Sequence, residues 1–201
     1  MKILCIGKNY VDHAKEMDSE VPSSPMIFMK PESALNNKDV LAYPSFTKNL
    51  HYELELVIRI CQTAKNVDLE SAPDYFDRIG LGIDFTARDI QSHCKSKGHP
   101  WEKAKAFDNS ASLSPMLSKD KFNLSDLKFK LEHNDRVVQD GSSKDMIFNL
   151  NYLIHYASQY FTLNEGDLIY TGTPAGVGPV QSGDNLKGYL VDDLLLNVSI
   201  I

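Results

Sequence analysis

The stretch His51-Tyr52-Glu53-Leu54-Glu55-Leu56-Val57-Ile58-Arg59-Ile60 governs the reading of this chain. Read as a strand, it sends Tyr52, Leu54, Leu56 and Ile58 to one face and Glu53 with Glu55 to the other, about 6.6 Å apart along the backbone. The first face asks for a core; the second has the ordinary pattern of glutamates turned to water. Outward from it, Leu4–Ile6 before Gly7, Ile27–Met29, Ile79–Asp84 and Leu168–Tyr170 read as further strands. Leu127–Val138 reads as a hairpin around Asn134-Asp135, ended by Asp140-Gly141. Ser182-Gly183-Asp184 and Asp192-Asp193 bracket two last β-runs that finish at Leu194–Ile201. Three segments have helical patterns. Val11–Met17 is short and is tethered by the loop-forming residues 18–25, as a movable lid would be. Thr86–Lys95 opens on the capping-box spacing Thr86-Ala-Arg-Asp89 and ends before Gly98, and Asn151–Phe161 sets Ile154, Ala157, Ser158 and Phe161 on one face. The expected architecture is mixed and β-dominated (α+β), with a few helices, in one domain spanning 1–201.

A chain of 201 residues is long enough to bury a core without disulfide or metal staples. Its 21 Lys+Arg against 27 Asp+Glu leave a net charge of −6, with the basic residues dispersed, which disfavours nucleic-acid binding. No apolar run approaches the roughly 20 residues of a bilayer crossing, and Ile3–Ile6 is far shorter than the roughly 7–15 of an export-signal core. Cys5, Cys61 and Cys94 form no C-x-x-C pair and suit free thiols in a reducing compartment, so a soluble cytoplasmic protein is expected. Cys5 and Cys61 lie in apolar β-runs and are expected in the core, while His133 and His155 show no chemical partner.

Asp84 follows an apolar strand and supplies a third carboxylate that can join Glu53 and Glu55. Three carboxylates without clustered thiols or imidazoles suit a hard dication such as Mg²⁺, Mn²⁺ or Ca²⁺ far better than zinc. His13 and Glu16 stand three apart on the short first helix, the spacing of a general-base pair as well as of two solvated neighbours. Arg88 and Gln91 share the same spacing on the next helix, and Arg is the natural clamp for a substrate carboxylate. Of Lys103 and Lys105, either beside an anionic site could support an oxyanion. Thr171-Gly-Thr-Pro-Ala-Gly-Val-Gly178 matches no nucleotide-binding fingerprint, yet its backbone N–H groups and Thr173 could hold a small carboxylate as readily as form a plain connection. His93, Cys94 and His99 lack a second ligand pair for zinc.

Six ordered blocks resemble the fumarylacetoacetate hydrolase family, most closely its short single-domain acylpyruvate hydrolase branch. They are GKNYVDHAKEM (7–17), FMKP (28–31), HYELEL (51–56), DFTARDIQ (84–91), KGHPWEKAKAFD (97–108) and TGTPAGVG (171–178). The resemblance implies a β-sandwich roll with an N-terminal lid helix, usually homodimeric. It implies that Glu53, Glu55 and Asp84 bind magnesium or manganese, that His13 and Glu16 form a dyad on the lid, that Arg88, Gln91 and Thr173 touch substrate, and that Lys105 is the active lysine with Lys103 a bystander. Lys8 stands where close relatives often have Arg, and Asp192-Asp193 replaces a glycine-containing turn.

The activity so implied is metal-dependent cleavage of a carbon–carbon bond in an acylpyruvate: Glu16 and His13 deprotonate a water that attacks the distal carbonyl, and pyruvate leaves as an enolate supported by the dication and Lys105. The same enolate stabilisation serves oxaloacetate decarboxylation or isomerisation of a 2-oxo acid, the alternative reading. A non-catalytic β-domain that binds metal or a small acid is the remaining one.

Overall fold

A computed structural model describes residues 1–201. The strand Leu54–Ile60 lies at the centre of an eight-stranded sheet. Its order is Met26–Lys30, Ile3–Gly7, Leu168–Tyr170, Leu54–Ile60, Phe76–Asp84, Ala111–Leu113 and Leu35–Asn36, with Leu117–Ser118 also on Phe76–Asp84. Most pairings are antiparallel, but Ile3–Gly7 runs parallel to Leu168–Tyr170. A five-stranded sheet faces it, in the order Arg136–Ser142, Lys128–His133, Asn185–Leu190, Asp193–Ile200 and Val40–Leu41. Leu54, Leu56 and Ile58 meet Phe129, Leu131, Leu186, Leu196 and Val198 in one core cluster of 33 buried residues. The sheets come close because Gly188 has no side chain: a Cβ there would stand 3.3 Å from both Leu54 and Leu81. This is the expected β-dominated fold with few helices.

At residue 53 both central strands change partner. Leu54–Ile60 pairs with Phe76–Asp84, whereas the preceding strand Leu50–Tyr52 pairs with Thr86–Ala87 in a separate three-stranded sheet with Gly178–Pro179. Glu53 and Phe85 occupy the break. The Leu54 N–H, which has no ladder partner there, donates to Gln139 Oε1 at 2.9 Å, and the Asp84 N–H donates to the Glu53 carbonyl at 2.9 Å. The corner therefore stays hydrogen-bonded while its side chains are freed from strand packing.

Four α-helices cover this corner and the edges: α1 (Val11–Glu16), α2 (Arg88–Lys97), α3 (Glu102–Lys105) and α4 (Leu150–Tyr160). Asn149 caps α4 by accepting from the Tyr152 N–H at 3.0 Å. The capping box expected at Thr86 does not form. Thr86 and Ala87 are strand, α2 begins at Arg88, and Asp89 turns back to accept from Thr47 Oγ1 at 2.6 Å and the Lys48 N–H at 3.1 Å. Two other readings are corrected. The hairpin strand continues through Asp140-Gly141 to Ser142, because it stays laddered to Lys128–His133. Cys61 is only partly buried, since it lies just past the strand end.

Candidate active site

The corner carries a cluster of charges almost without solvent. Glu53, Glu55 and Asp84 each offer an oxygen within 4.8 Å of the others, and all three are buried. Against them stand three cations. Lys105 Nζ donates to Glu53 Oε2 at 2.8 Å and Asp84 Oδ2 at 2.7 Å, and Arg88 Nη2 donates to Glu53 Oε1 at 2.5 Å. Lys30 Nζ lies 2.8 Å from Asp84 Oδ1 without the alignment of a hydrogen bond, which leaves that buried oxygen with no donor. Lys30 instead donates to the Ser110 carbonyl at 3.1 Å and its Oγ at 3.0 Å, and to the Lys105 carbonyl, which fastens α3 in place.

α3 separates the two lysines. Within its single turn Lys103 points to solvent and Lys105 is buried. Burial alone would lower the Lys105 ammonium, but Asp84 and then Glu53 outweigh it and push it up to about 12. Burial raises the Glu53 carboxyl, but Lys105 and Arg88 together hold it well below the ordinary carboxylate range. Glu55 goes the other way. Burial, then the Asp84 charge, raises it well above the usual value, although the Gly172 N–H donates to its Oε2 at 2.7 Å.

The glycine-rich loop binds the protein's own carboxylates. Gly172 and Gly176 both take positive φ, +101° and +99°, and a Cβ on Gly176 would come within 2.0 Å of the Val138 carbonyl. Gly172 holds Glu55, and the Gly176 N–H donates to Glu16 at 3.0 and 3.2 Å. Glu16 Oε2 in turn lies 3.2 Å from His13 Nδ1, so the pair is formed and Nε2 is the free ring nitrogen. Arg88 Nη1 donates to Gln91 Oε1 at 2.7 Å, and Arg88 Nε is buried without a partner. Thr173 Oγ1 donates to the Leu54 carbonyl and accepts from Gln139 Nε2, both at 2.8 Å.

One cleft, with about 40 Å³ of free space, is lined by His13, Glu53, Glu55, Asp84, Arg88, Gln91, Lys105 and Thr173. Of the nine residues to which the resemblance gives a role, all but Glu16 thus line one cleft, and Glu16 sits behind His13. Two things were missed. Lys30 was legible as a lone charge within the apolar run 27–31, whereas the Gly172 and Gly176 N–H donors depend on φ values that no residue pattern prints. His155 does have a partner, its Nδ1 lying 2.7 Å from the Val67 carbonyl, whereas His133 Nε2 lies 2.9 Å from Asp184 Oδ2 without the alignment of a hydrogen bond.

The carboxylate triad fits a hard dication. Its donors are all oxygen, buried Asp84 Oδ1 accepts no hydrogen bond, and the ammonium of Lys105 already lies between two of the three carboxylates. A buried carboxylate triad, a helix-borne His–Glu pair and a buried lysine thus meet at one sheet corner of a β-dominated fold. Residues 2–193 match the fumarylacetoacetate (FAA) hydrolase C-terminal family, and the chain belongs to that family. It is 43% identical over 188 residues to the mitochondrial oxaloacetate tautomerase FAHD1 of Bos taurus, covering 92% of this chain and 85% of the relative. It is also 43% identical to the oxaloacetate tautomerase YcgM of Escherichia coli, over 92% of this chain and 86% of that one. The fold superposes on fumarylpyruvate hydrolase from Pseudomonas aeruginosa, solved with Mn²⁺ and pyruvate, with a TM-score of 0.95 at 33% identity, covering all of this chain and 89% of that one. The protein is an enzyme of this family, whose members include hydrolases and tautomerases. No helix is long and apolar enough to cross a membrane.

Proposed function

We propose that the protein interconverts the keto and enol forms of a small 2-oxo dicarboxylate, oxaloacetate being the best-supported substrate. The observation that carries this is the buried charge balance: three carboxylates meet three cations, so a dication leaves the floor doubly positive, the complement of a 2-oxo acid group whose carboxylate and enolate oxygens both carry charge. Glu53, Glu55 and Asp84 would hold the dication, Mg²⁺ or Mn²⁺, which when bound supplies Lewis-acid stabilisation of the substrate's enolate charge. Arg88 offers its unpaired Nε to the substrate carboxylate, with Gln91 holding the guanidinium plane. His13, fixed through Nδ1 by Glu16, uses Nε2 to take the proton from the carbon next to the ketone. Lys105, kept cationic, supports the negative charge on the former ketone oxygen until the proton taken up by His13 is returned to that oxygen, which completes the transfer from carbon to oxygen. Thr173 lines the cleft with its hydroxyl already engaged, so it shapes the site and contributes one remaining lone pair.

Carbon–carbon hydrolysis of an acylpyruvate, the first expectation from the sequence, is the second reading. The His13–Glu16 pair beside a cleft with room for water favours it, as does the likeness to fumarylpyruvate hydrolase. A homodimeric single domain in a reducing, cytoplasm-like compartment completes the proposal; it rests on the family resemblance and on three unpaired cysteines. The test is the decay of enol-oxaloacetate followed in the ultraviolet with Mg²⁺, Mn²⁺ or EDTA, alongside product analysis of acetylpyruvate. Metal-dependent acceleration of enol decay supports tautomerisation. Release of acetate and pyruvate without that acceleration moves the assignment to hydrolysis.

A further inference from the structure

Two lysines in the cleft lining have no role in the chemistry above. Lys8 follows the strand Ile3–Gly7 and Lys95 lies on α2; both face the cleft, and neither takes part in an ion pair or a side-chain hydrogen bond. Arg88 and Lys8 both lie close enough to Lys95 to repel its ammonium. The Lys95 ammonium is held below its ordinary value by partial burial first, then by Arg88 and Lys8. Its only specific neighbour is the Trp101 ring, 5.4 Å from Nζ to the centroid, and that contact fixes the stem without neutralising the charge.

Lys8 is also held in an unfavourable backbone state. Its φ of +59° is left-handed, a conformation that costs a side-chain-bearing residue stability and persists only where its surroundings enforce it. The enforcement comes from Asn9, fully buried. Asn9 Nδ2 donates to the Phe148 carbonyl at 2.9 Å and the Thr171 carbonyl at 2.8 Å, and Asn9 Oδ1 accepts from the Phe148 N–H at 2.8 Å. Three hydrogen bonds thus pin the turn that presents Lys8 at the cleft, where glycine would meet no strain. Converging unpaired cations beside a site whose floor takes a 2-oxo acid need an anion of their own.

We propose that Lys8 and Lys95 form a second anion subsite at the mouth of the cleft, which receives the far carboxylate of a 2-oxo dicarboxylate while the Glu53–Glu55–Asp84 end takes the 2-oxo acid group. This deepens the functional reading above and rests on it for the orientation of the ligand. The subsite makes the enzyme selective for dicarboxylates over 2-oxo acids of equal length with an uncharged end.

The probes are 2-oxoglutarate and 2-oxopentanoate, which share a five-carbon chain and differ only in a terminal carboxylate against a methyl group. Calorimetric titration of the Mg²⁺-loaded protein should show the dicarboxylate binding more tightly. Lys8→Gly, which also relieves the left-handed strain, and Lys95→Met, which keeps the stem over Trp101, should each lower that preference by about ten-fold, the order of one charge-assisted hydrogen bond. Binding of 2-oxopentanoate should not change. Lys8→Gly should melt no lower than the parent, so lost selectivity cannot be put down to unfolding. A parent with no preference, variants that keep the full preference, or equal weakening toward both probes each overturn the subsite. If enol-oxaloacetate is not turned over while the carboxylate preference stands, the tautomerase reading fails and the subsite survives.

Discussion

The two faces of the strand Leu54–Ile60 have opposite economies of interaction. Toward the five-stranded sheet, Leu54, Leu56 and Ile58 are fully buried among aliphatic and aromatic neighbours, where burial itself is stabilising, at about 25 cal/mol per Å² of apolar surface. Toward α2 and α3, Glu55 and the adjoining Glu53 are equally hidden from solvent but lie among Asp84, Lys30, Lys105 and Arg88. Such a cluster barely recovers its desolvation cost. Similar burial on two sides of one ribbon thus teaches that depth alone does not distinguish core from site; the charge balance does. A face that costs stability to maintain is the one where the chemistry belongs.

The largest expected effect is on the charged face. Asp84→Ala should lower turnover by more than about 10³-fold, because it removes a carboxylate of the triad and a partner of Lys105. Mg²⁺ affinity, read by calorimetry, should fall with it. The same substitution leaves Lys30 and Lys105 short of counter-charge, so melting should be followed in parallel and Asp84→Asn included as the shape-preserving variant. Wild-type turnover in a folded Asp84→Asn protein would erase the contrast between the faces. Next comes His13→Ala, expected to lose roughly 10²–10⁴-fold in turnover while keeping Mg²⁺ affinity, since His13 meets the cleft from α1 and is not one of the triad. Equal loss of metal binding would show that α1 and the triad are not separable.

The apolar face should behave in the reverse manner. Leu56→Ala removes a fully buried side chain from the inter-sheet core and should cost about 2–5 kcal/mol in denaturant unfolding. Below the unfolding transition, kcat should stay near that of the parent. A stable Leu56→Ala protein with collapsed turnover would mean that the two faces are mechanically coupled through the strand.

The sequence made one face far more legible than the other. Alternation at Tyr52, Leu54, Leu56 and Ile58 gave the core side directly, because period two is a local property of the backbone. The same alternation put Glu53 and Glu55 on a shared side but could not tell buried from solvated, since that depends on α2 and α3 folding over them. α3 has only four residues, too few for a periodic signal, and it alone decides that Lys105 rather than Lys103 reaches the triad. Family resemblance chose between those lysines where spacing could not. Asp89 shows the converse, a local capping pattern overridden by a tertiary partner, Thr47. The turn at Asn134-Asp135 was readable because both residues tolerate positive φ, here +51° and +62°, whereas the left-handed Lys8 was not, being an unfavourable residue held there by Asn9.

The smallest expected effect is the most discriminating, because it titrates the charged face without removing an atom. Glu55 has its native carboxyl raised well above the ordinary value of about 4.3, by burial and then by Asp84. The folded protein therefore keeps a proton that the unfolded chain has released. The stability this contributes is fully present below the unfolded value and is lost as pH rises through the native one, at no more than about 1.4 kcal/mol per pH unit. A dication needs the carboxylate, so Mg²⁺ binding should expel that proton and strengthen with rising pH by up to about ten-fold per unit, levelling off once Glu55 is ionised without help. Glu55→Gln should flatten both slopes. On the acid side a different group acts: burial and then Arg88 lower His51 to about 4, so the native state refuses a proton that the unfolded chain accepts below about 6.5. Stability should accordingly fall as pH drops from about 6.5 toward 4, and His51→Gln should remove that part of the decline. Denaturant melts of metal-free protein across pH 4–9, repeated with Mg²⁺, separate the two groups. An Mg²⁺ affinity independent of pH would mean that Glu55 is already a free carboxylate, and the charged face would then lack the proton store that sets it apart from its apolar counterpart.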